Sequence, residues 1–175
     1  MPPESPPLPM GEVIEFLGVI WTVDHALQTL SKRMLATMGV TGPQRLVLRI
    51  VARFPGVPAG EIASVMRLDR STISGILKRL EGRGLLQRRQ DLRDGRRTLV
   101  VLTARGRELA ADSTGTVEAV VESALAGMSA AEVSAARSAL TRLAAALKAD
   151  EQEAGATARG PSTTARARRA SRSLE

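Results

Sequence analysis

Residues 68–102 read LDRSTISGILKRLEGRG (68–84) and then LLQRRQDLRDGRRTLVVL (85–102). In the first half Ile73, Ile76, Leu77 and Leu80 recur at helical spacing and form one apolar stripe. Arg70, Ser71, Thr72, Ser74, Lys78 and Arg79 are left to face elsewhere. Gly82 and Gly84 end that helix. The second half is two β-prone runs around Arg93-Asp94-Gly95-Arg96. Asp-Gly in that setting predicts a tight hairpin, because both central residues must accept φ > 0. Just upstream, Pro58 to Met66 predicts a short helix with Ile62, Ala63 and Val65 inward. The turn Arg67-Leu68-Asp69 follows, with Asp69 a good N-cap whose charge suits the positive helix end. The order is helix, turn, helix, β-wing.

Charge is concentrated on this unit. Residues 67–107 hold 12 Lys/Arg against 4 Asp/Glu, a net of +8, whereas all 175 residues net +7. The remainder of the chain therefore sums to −1. A solvated face is the usual fate of a charge run, but a basic load confined to a helix-turn-helix and its wing is the footprint of a surface that meets the phosphates of duplex DNA.

Working outward, residues 1–11, with five prolines in the first ten positions, are expected to be disordered. From Gly11 to Thr37 apolar residues including Ile14, Leu17, Trp21, Leu27 and Met34 recur at helical spacing and predict a long amphipathic helix. Thr41-Gly42-Pro43-Gln44 is a capping box with proline where its missing amide costs nothing. Its helix carries Leu46, Val47, Ile50 and Val51 and stops near Phe54-Pro55-Gly56. After the wing, Thr103 caps a fifth helix through TARGRELAADSTGTVEAVVESAL. Ser129-Ala130-Ala131-Glu132 is a capping box opening a sixth. From residue 150 to 175 the composition collapses to a disordered tail whose ARARRASRS segment either adds weak phosphate attraction or is an inert solvated end.

This arrangement, and above all LDRSTISGILKRLEGRGLLQRR followed by DLRDGRR and LVVLTARG, resembles the MarR family of winged helix-turn-helix transcription regulators. The resemblance covers residues 12–148. It implies a mainly α fold with a small β-wing and six helices. A winged helix-turn-helix core would span about 41–102, flanked by dimerisation helices at 12–37 and 103–149. It also implies a homodimer on a pseudopalindromic operator. The apolar first, fifth and sixth helices, too rich for one small lobe, support dimerisation independently.

A recognition helix approaches bases with its first turns. Ser71, Thr72 and Ser74 can bond bases or phosphates, although local capping competes for Ser71. Arg70 and Lys78 can read guanine or contact phosphate, and Arg79 lies on the same basic helix. At the wing, Arg93, Arg96 and Arg97 flank the turn. The family pattern implies that Arg96 enters the minor groove, oriented by Asp94; strand alternation leaves Arg97 for phosphate. Arg88 and Arg89 read as phosphate contacts or surface charge. Family members bind small, often aromatic or phenolic, anions, and Trp21, His25 and Arg45 are the candidate effector contacts, with packing the competing role for Trp21 and His25.

Other classes are poorly served. With no cysteine and one histidine, neither disulfides nor a metal site is expected, and no cofactor motif or catalytic constellation is present. The absence of a signal segment or membrane span points to a soluble cytoplasmic protein. The competing function is a winged-helix architectural or docking module that binds duplex without sequence preference.

Overall fold

The computed structural model describes residues 10–92, 94 and 98–158. The helices are α1 (Met10–Met38), α2 (Gly42–Arg53), α3 (Ala59–Met66), α4 (Arg70–Gly82), α5 (Ala104–Ala111), α6 (Val117–Ala126) and α7 (Ala130–Ala158). Three short strands, β1 (Val57–Pro58), β2 (Leu86–Gln90) and β3 (Thr98–Leu102), pair antiparallel in the order β1-β3-β2. The chain divides into two compact units between Ser123 and Ala124.

The core lies in the first unit. Val47, Leu48 and Val51 of α2, Ile62 of α3, Ile73, Leu77 and Leu80 of α4, and Val100 of β3 are almost wholly buried together. Each comes from an apolar stripe of its element, although Leu46 of α2 and Val65 of α3, expected on those stripes, are exposed. Local chemistry fixes the ends. Thr41 Oγ1 accepts from the Gln44 amide and Gln44 Oε1 from the Thr41 amide, the capping box expected there. The Gly42 amide also donates to Ser31 Oγ (2.9 Å), tying α2 to α1. At the end of α4 the Leu85 amide reaches back to the Leu80 carbonyl and the Gly84 amide to Glu81, with Gly84 at φ +64°. That is a Schellman closure, sealed by the buried Leu80 and Leu85 side chains.

The wing leaves and rejoins the helices at one knot. Thr103 Oγ1 donates to the Gly84 carbonyl (2.7 Å) and accepts from the Gly106 amide (3.1 Å). Gly106 lies so close to Leu85, the residue before β2, that a Cβ would overlap the Leu85 carbonyl oxygen. The glycine of the LTARG stretch is thereby explained by contact rather than by backbone angle.

Several expectations need correction. The β2–β3 ladder runs from Leu86 opposite Leu102 to Gln90 opposite Thr98. Of the expected turn Arg93-Asp94-Gly95-Arg96, only Asp94 is among the described residues. Arg93, Gly95, Arg96 and Arg97 lie outside the described residues. β1 was not expected. It is two residues long and exists only because β3 returns beside it, and Pro58 is tolerated because β1 is an edge strand. The fold therefore has seven helices among the described residues, not six, because the predicted fifth helix is broken at 112–116. The helix opened by the Ser129–Glu132 capping box continues through 150 to Ala158.

The break at 112–116 is stabilised by side chains that compete with helix. Asp112 Oδ1 accepts from the Thr114 amide (2.9 Å), Gly115 takes φ +67°, and the buried Thr116 caps α6 by accepting from the Ala119 amide. One residue of α2 holds the break in place. Arg45, fully buried, donates to the carbonyls of Leu109, Ala110 (3.2 Å) and Asp112, and its Nε meets Glu118 Oε1 of α6 at 2.6 Å. The carbonyls at the end of α5 are thus satisfied chiefly by Arg45, with Arg49 Nη1 also donating to Ala110 (2.9 Å), both cations lying at the negative helix end.

Arg45→Met should lower the unfolding free energy by about 3–5 kcal/mol, since it strands buried carbonyls and the Glu118 charge together. Urea denaturation of the full chain measures this. Asp112 gives a second test. The Thr114 amide and hydroxyl hold its carboxyl below the usual aspartate range, partly opposed by burial and aided by the nearby Arg45 charge. A depressed folded pKa means the stabilisation is complete above the unfolded value and fades as pH falls through the folded one. The Thr114 amide resonance should accordingly titrate below the ordinary aspartate range; a midpoint at the ordinary value would contradict the loop geometry.

Candidate nucleic-acid interface

The helix-turn-helix is α3, the turn 67–69 and α4. The turn is sharp because Arg67 adopts φ 54°, ψ 34°, the one positive-φ non-glycine among the described residues. In this conformation its amide and that of Leu68 reach back to the carbonyls of Ser64 (3.2 Å) and Ala63 (3.1 Å), closing α3. A non-glycine residue in the left-handed region costs about 1–2 kcal/mol, which the two closing bonds and the partly buried Leu68 offset. Asp69 occupies the N-cap of α4 with extended backbone, but its side chain makes no capping hydrogen bond, contrary to expectation.

With Ile73, Ile76, Leu77 and Leu80 buried, α4 presents its other side to solvent. Arg70, Ser71, Thr72, Ser74, Lys78 and Arg79 are all exposed. By helical phase, Ser71, Gly75 and Lys78 lie along the middle of the exposed side, Arg70 and Ser74 along one border, and Thr72 and Arg79 along the other. Gly75 stands out. Mid-helix glycine costs roughly 0.5–1 kcal/mol relative to alanine, and open space surrounds the position its Cβ would take. Nothing in the protein's own packing requires it. Its signal in the sequence was a glycine at the centre of a polar stripe.

Strand alternation separates the two arginines of β2. Arg88 pairs across the ladder with the buried Val100 and shares a cleft of about 300 Å³ with Arg70 and Ser74 of α4 and Ala59 and Gly60 of α3. Glu81 of α4 holds its guanidinium at 3.4 Å, a half-exposed ion pair of small energetic weight. Arg89 points to the other face, beside Val101. So the wing delivers Arg88 to the recognition helix and takes Arg89 away from it. Asp94 is exposed; its expected partner Arg96, with Arg93 and Arg97, lies outside the described residues.

The effector candidates are not brought to one site. Trp21 and His25 are exposed on α1, and Arg45 is committed to the α5–α6 break. A separate apolar cleft of about 410 Å³ lies between α1, α2, α6 and the helix-turn-helix, lined by Leu27, Ser31, Pro43, Leu46, Met66, Leu68, Val117, Glu118 and Val121. None of the three candidates lines it. Among the described residues no His/Cys/Asp/Glu group could hold a metal, and no helix is long and apolar enough to cross a membrane.

Known proteins share this architecture. The MarR family profile matches residues 40–98, from just before α2 to the first residue of β3. The transcriptional regulator HosA of Escherichia coli O157:H7 is 34% identical over 93 residues, which span 53% of this chain and 69% of that protein. The chain belongs to the MarR family. A second MarR-like match, the HTH-type transcriptional regulator TtmR of Methylorubrum extorquens (strain PA1), is 36% identical over 90 residues, 51% of this chain but only 46% of the longer relative. The crystal structure of the PcaV transcriptional regulator from Streptomyces coelicolor with its natural ligand superposes with a TM-score of 0.61 at 27% identity, covering 82% of this chain and 99% of PcaV. The winged helix-turn-helix of the MarR fold is therefore present here, with Arg67 at its turn.

The turn geometry is open to test. Arg67→Asn and Arg67→Val both remove the guanidinium, but asparagine enters the left-handed region readily and a β-branched residue does not. The valine variant should be less stable than the asparagine variant by about 1–2 kcal/mol, read from thermal or urea unfolding.

Proposed function

We propose that the chain is a homodimeric, sequence-specific DNA-binding transcription regulator that acts as a repressor and is released by a small ligand. The observation that carries this reading is the convergence of Arg70, Ser74 and Arg88 on one cleft beside an α4 face whose remaining side chains are short, polar or basic. A duplex entering that cleft would have base edges within reach of Ser71, Thr72 and Ser74, and phosphates within reach of Arg70, Lys78, Arg79 and Arg88. Gly75 leaves room for close approach to the helix backbone. Arg96, oriented by Asp94, would enter the minor groove, with Arg93 and Arg97 on phosphates.

Dimerisation is supported by unburied apolar surface. α1 buries only Met34, while Ile14, Phe16, Val19, Trp21 and Val23 are exposed on it; Val120 of α6 and Leu140 and Leu147 of α7 are exposed as well. Such faces are rarely left to water. The ligand would occupy the 410 Å³ cleft, whose walls touch α1 and α6 as well as Met66 and Leu68 beside the helix-turn-helix turn. Arg45 would act on it indirectly, through its ion pair with Glu118 in the wall. No described residue suggests a membrane or cofactor, and the cytoplasm is the proposed compartment.

Footprinting on the DNA flanking the protein's own gene, with random-sequence duplex as competitor, tests the central reading. A protected inverted repeat that outcompetes random DNA is expected; equal affinity for every sequence would support the architectural-module alternative instead. Arg70→Ala and Arg96→Ala should each weaken operator binding by about 1–3 kcal/mol while sedimentation still reports a dimer.

A further inference from the structure

On the side of the winged helix away from α3 and α4 lies a cleft of about 450 Å³, a size typical of small-molecule sites, which span about 300–1,000 Å³. No residue of the helix-turn-helix lines it. Its walls come from the C-terminal half of α2, from β2 and β3, and from α5. The walls are largely apolar, with Pro55, Val101 and Ala111 among them, and three arginines enter: Arg49, Arg89 and Arg107. The three charges come from three separate parts of the chain, far apart in sequence, and only folding brings them together.

No acidic residue lines the cleft, and neither the Arg45–Glu118 nor the Arg88–Glu81 ion pair involves Arg49, Arg89 or Arg107. Two of the guanidiniums are held in place without being neutralised. Arg49 Nη1 donates to the Ala110 carbonyl (2.9 Å) and Arg107 Nη1 to the Leu102 carbonyl (3.1 Å). Each bond uses one edge of a planar five-donor group and leaves the rest available. Arg89 is exposed, on the face of β2 opposite to Arg88. Three like charges around one concavity repel each other, and an anion seated among them would relieve that repulsion while accepting forked hydrogen bonds.

The geometry points to a second ligand site, for a small amphipathic anion: a carboxylate or phosphate monoester whose charged end meets Arg49, Arg89 and Arg107 and whose apolar body covers the Val101, Pro55 and Ala111 walls. Such a ligand bridges α2, the wing and α5 at once. It is distinct from the cleft assigned above, whose only charged lining residue is Glu118, and it does not depend on what the recognition helix binds.

The test is calorimetric titration of the full chain with 2-naphthoate at constant ionic strength, with inorganic phosphate as comparator. One saturable site per chain is expected, with 2-naphthoate binding more tightly than phosphate. Arg89→Gln should weaken it by about tenfold or more, because the bidentate partner is lost. Among the described residues the Arg89 side chain makes no hydrogen bond that the substitution would break, and unfolding midpoints of the two proteins should agree. Leu46→Gln, in the other cleft, should leave binding unchanged. Loss of binding in Leu46→Gln, indifference to Arg89→Gln, or no saturable heat would overturn the proposal. Equal affinity for phosphate would remove the apolar walls from it. If Arg89→Gln instead lowers the salt dependence of duplex binding by about one phosphate contact, the guanidiniums belong to the DNA backbone and the proposal fails.

Discussion

A single buried cation joins the two halves of the first unit. Arg45 sits on α2, whose apolar stripe is part of the core, yet all its side-chain hydrogen bonds run to residues 64–73 positions later in the chain. An unsatisfied guanidinium in that position would be strongly destabilising, and so would the open carbonyls at the end of α5. Each is tolerable only because the other is there. The winged helix-turn-helix lobe and the start of α6 are consequently linked by one contact. Glu118, at its outer end, also lines the apolar cleft, so anything seated in that cleft lies one side chain away from the link.

The surface proposed for DNA rests on backbone terminations more than on side-chain contacts. α3 and α4 both end with amides reaching back to the last turn, one through Arg67 and one through Gly84. Those closures set where α4 begins and where the wing departs, and Thr103 then ties the wing's return to the Gly84 carbonyl. The exposed polar residues of α4 need do nothing for stability, which frees them for recognition. Gly75 is the clearest case, because it costs helix stability and contributes no contact in return.

Positive charge in residues 67–107 does not all serve one surface. Arg88 and Arg89 are neighbours in sequence, and a charge count treats them alike. The pleat of β2 sends one to the recognition helix and the other to a cleft shared with Arg49 and Arg107. Two concentrations of guanidinium on opposite faces can serve two different anions.

The stripe of α4, the capping boxes at Thr41 and Ser129, the wing strands and the identity of the exposed α4 residues were all determined by sequence alone. Each depends on period or on partners within a few residues. Val65 of α3, expected inward, and Leu46 of α2 are instead exposed. What only the tertiary structure decided involves partners far apart along the chain. β1 needs β3 beside it, and the break at 112–116 needs Arg45 to reward the loss of a helical turn. Arg45 itself, an effector candidate by residue type, is a structural clasp because four acceptors converge on it. The register of the ladder sets Leu86 opposite Leu102, a pair buried on both sides, so the pairing is fixed where the core closes over it. Local chemistry specifies elements and their ends; which side chains meet across them is settled only when the core closes.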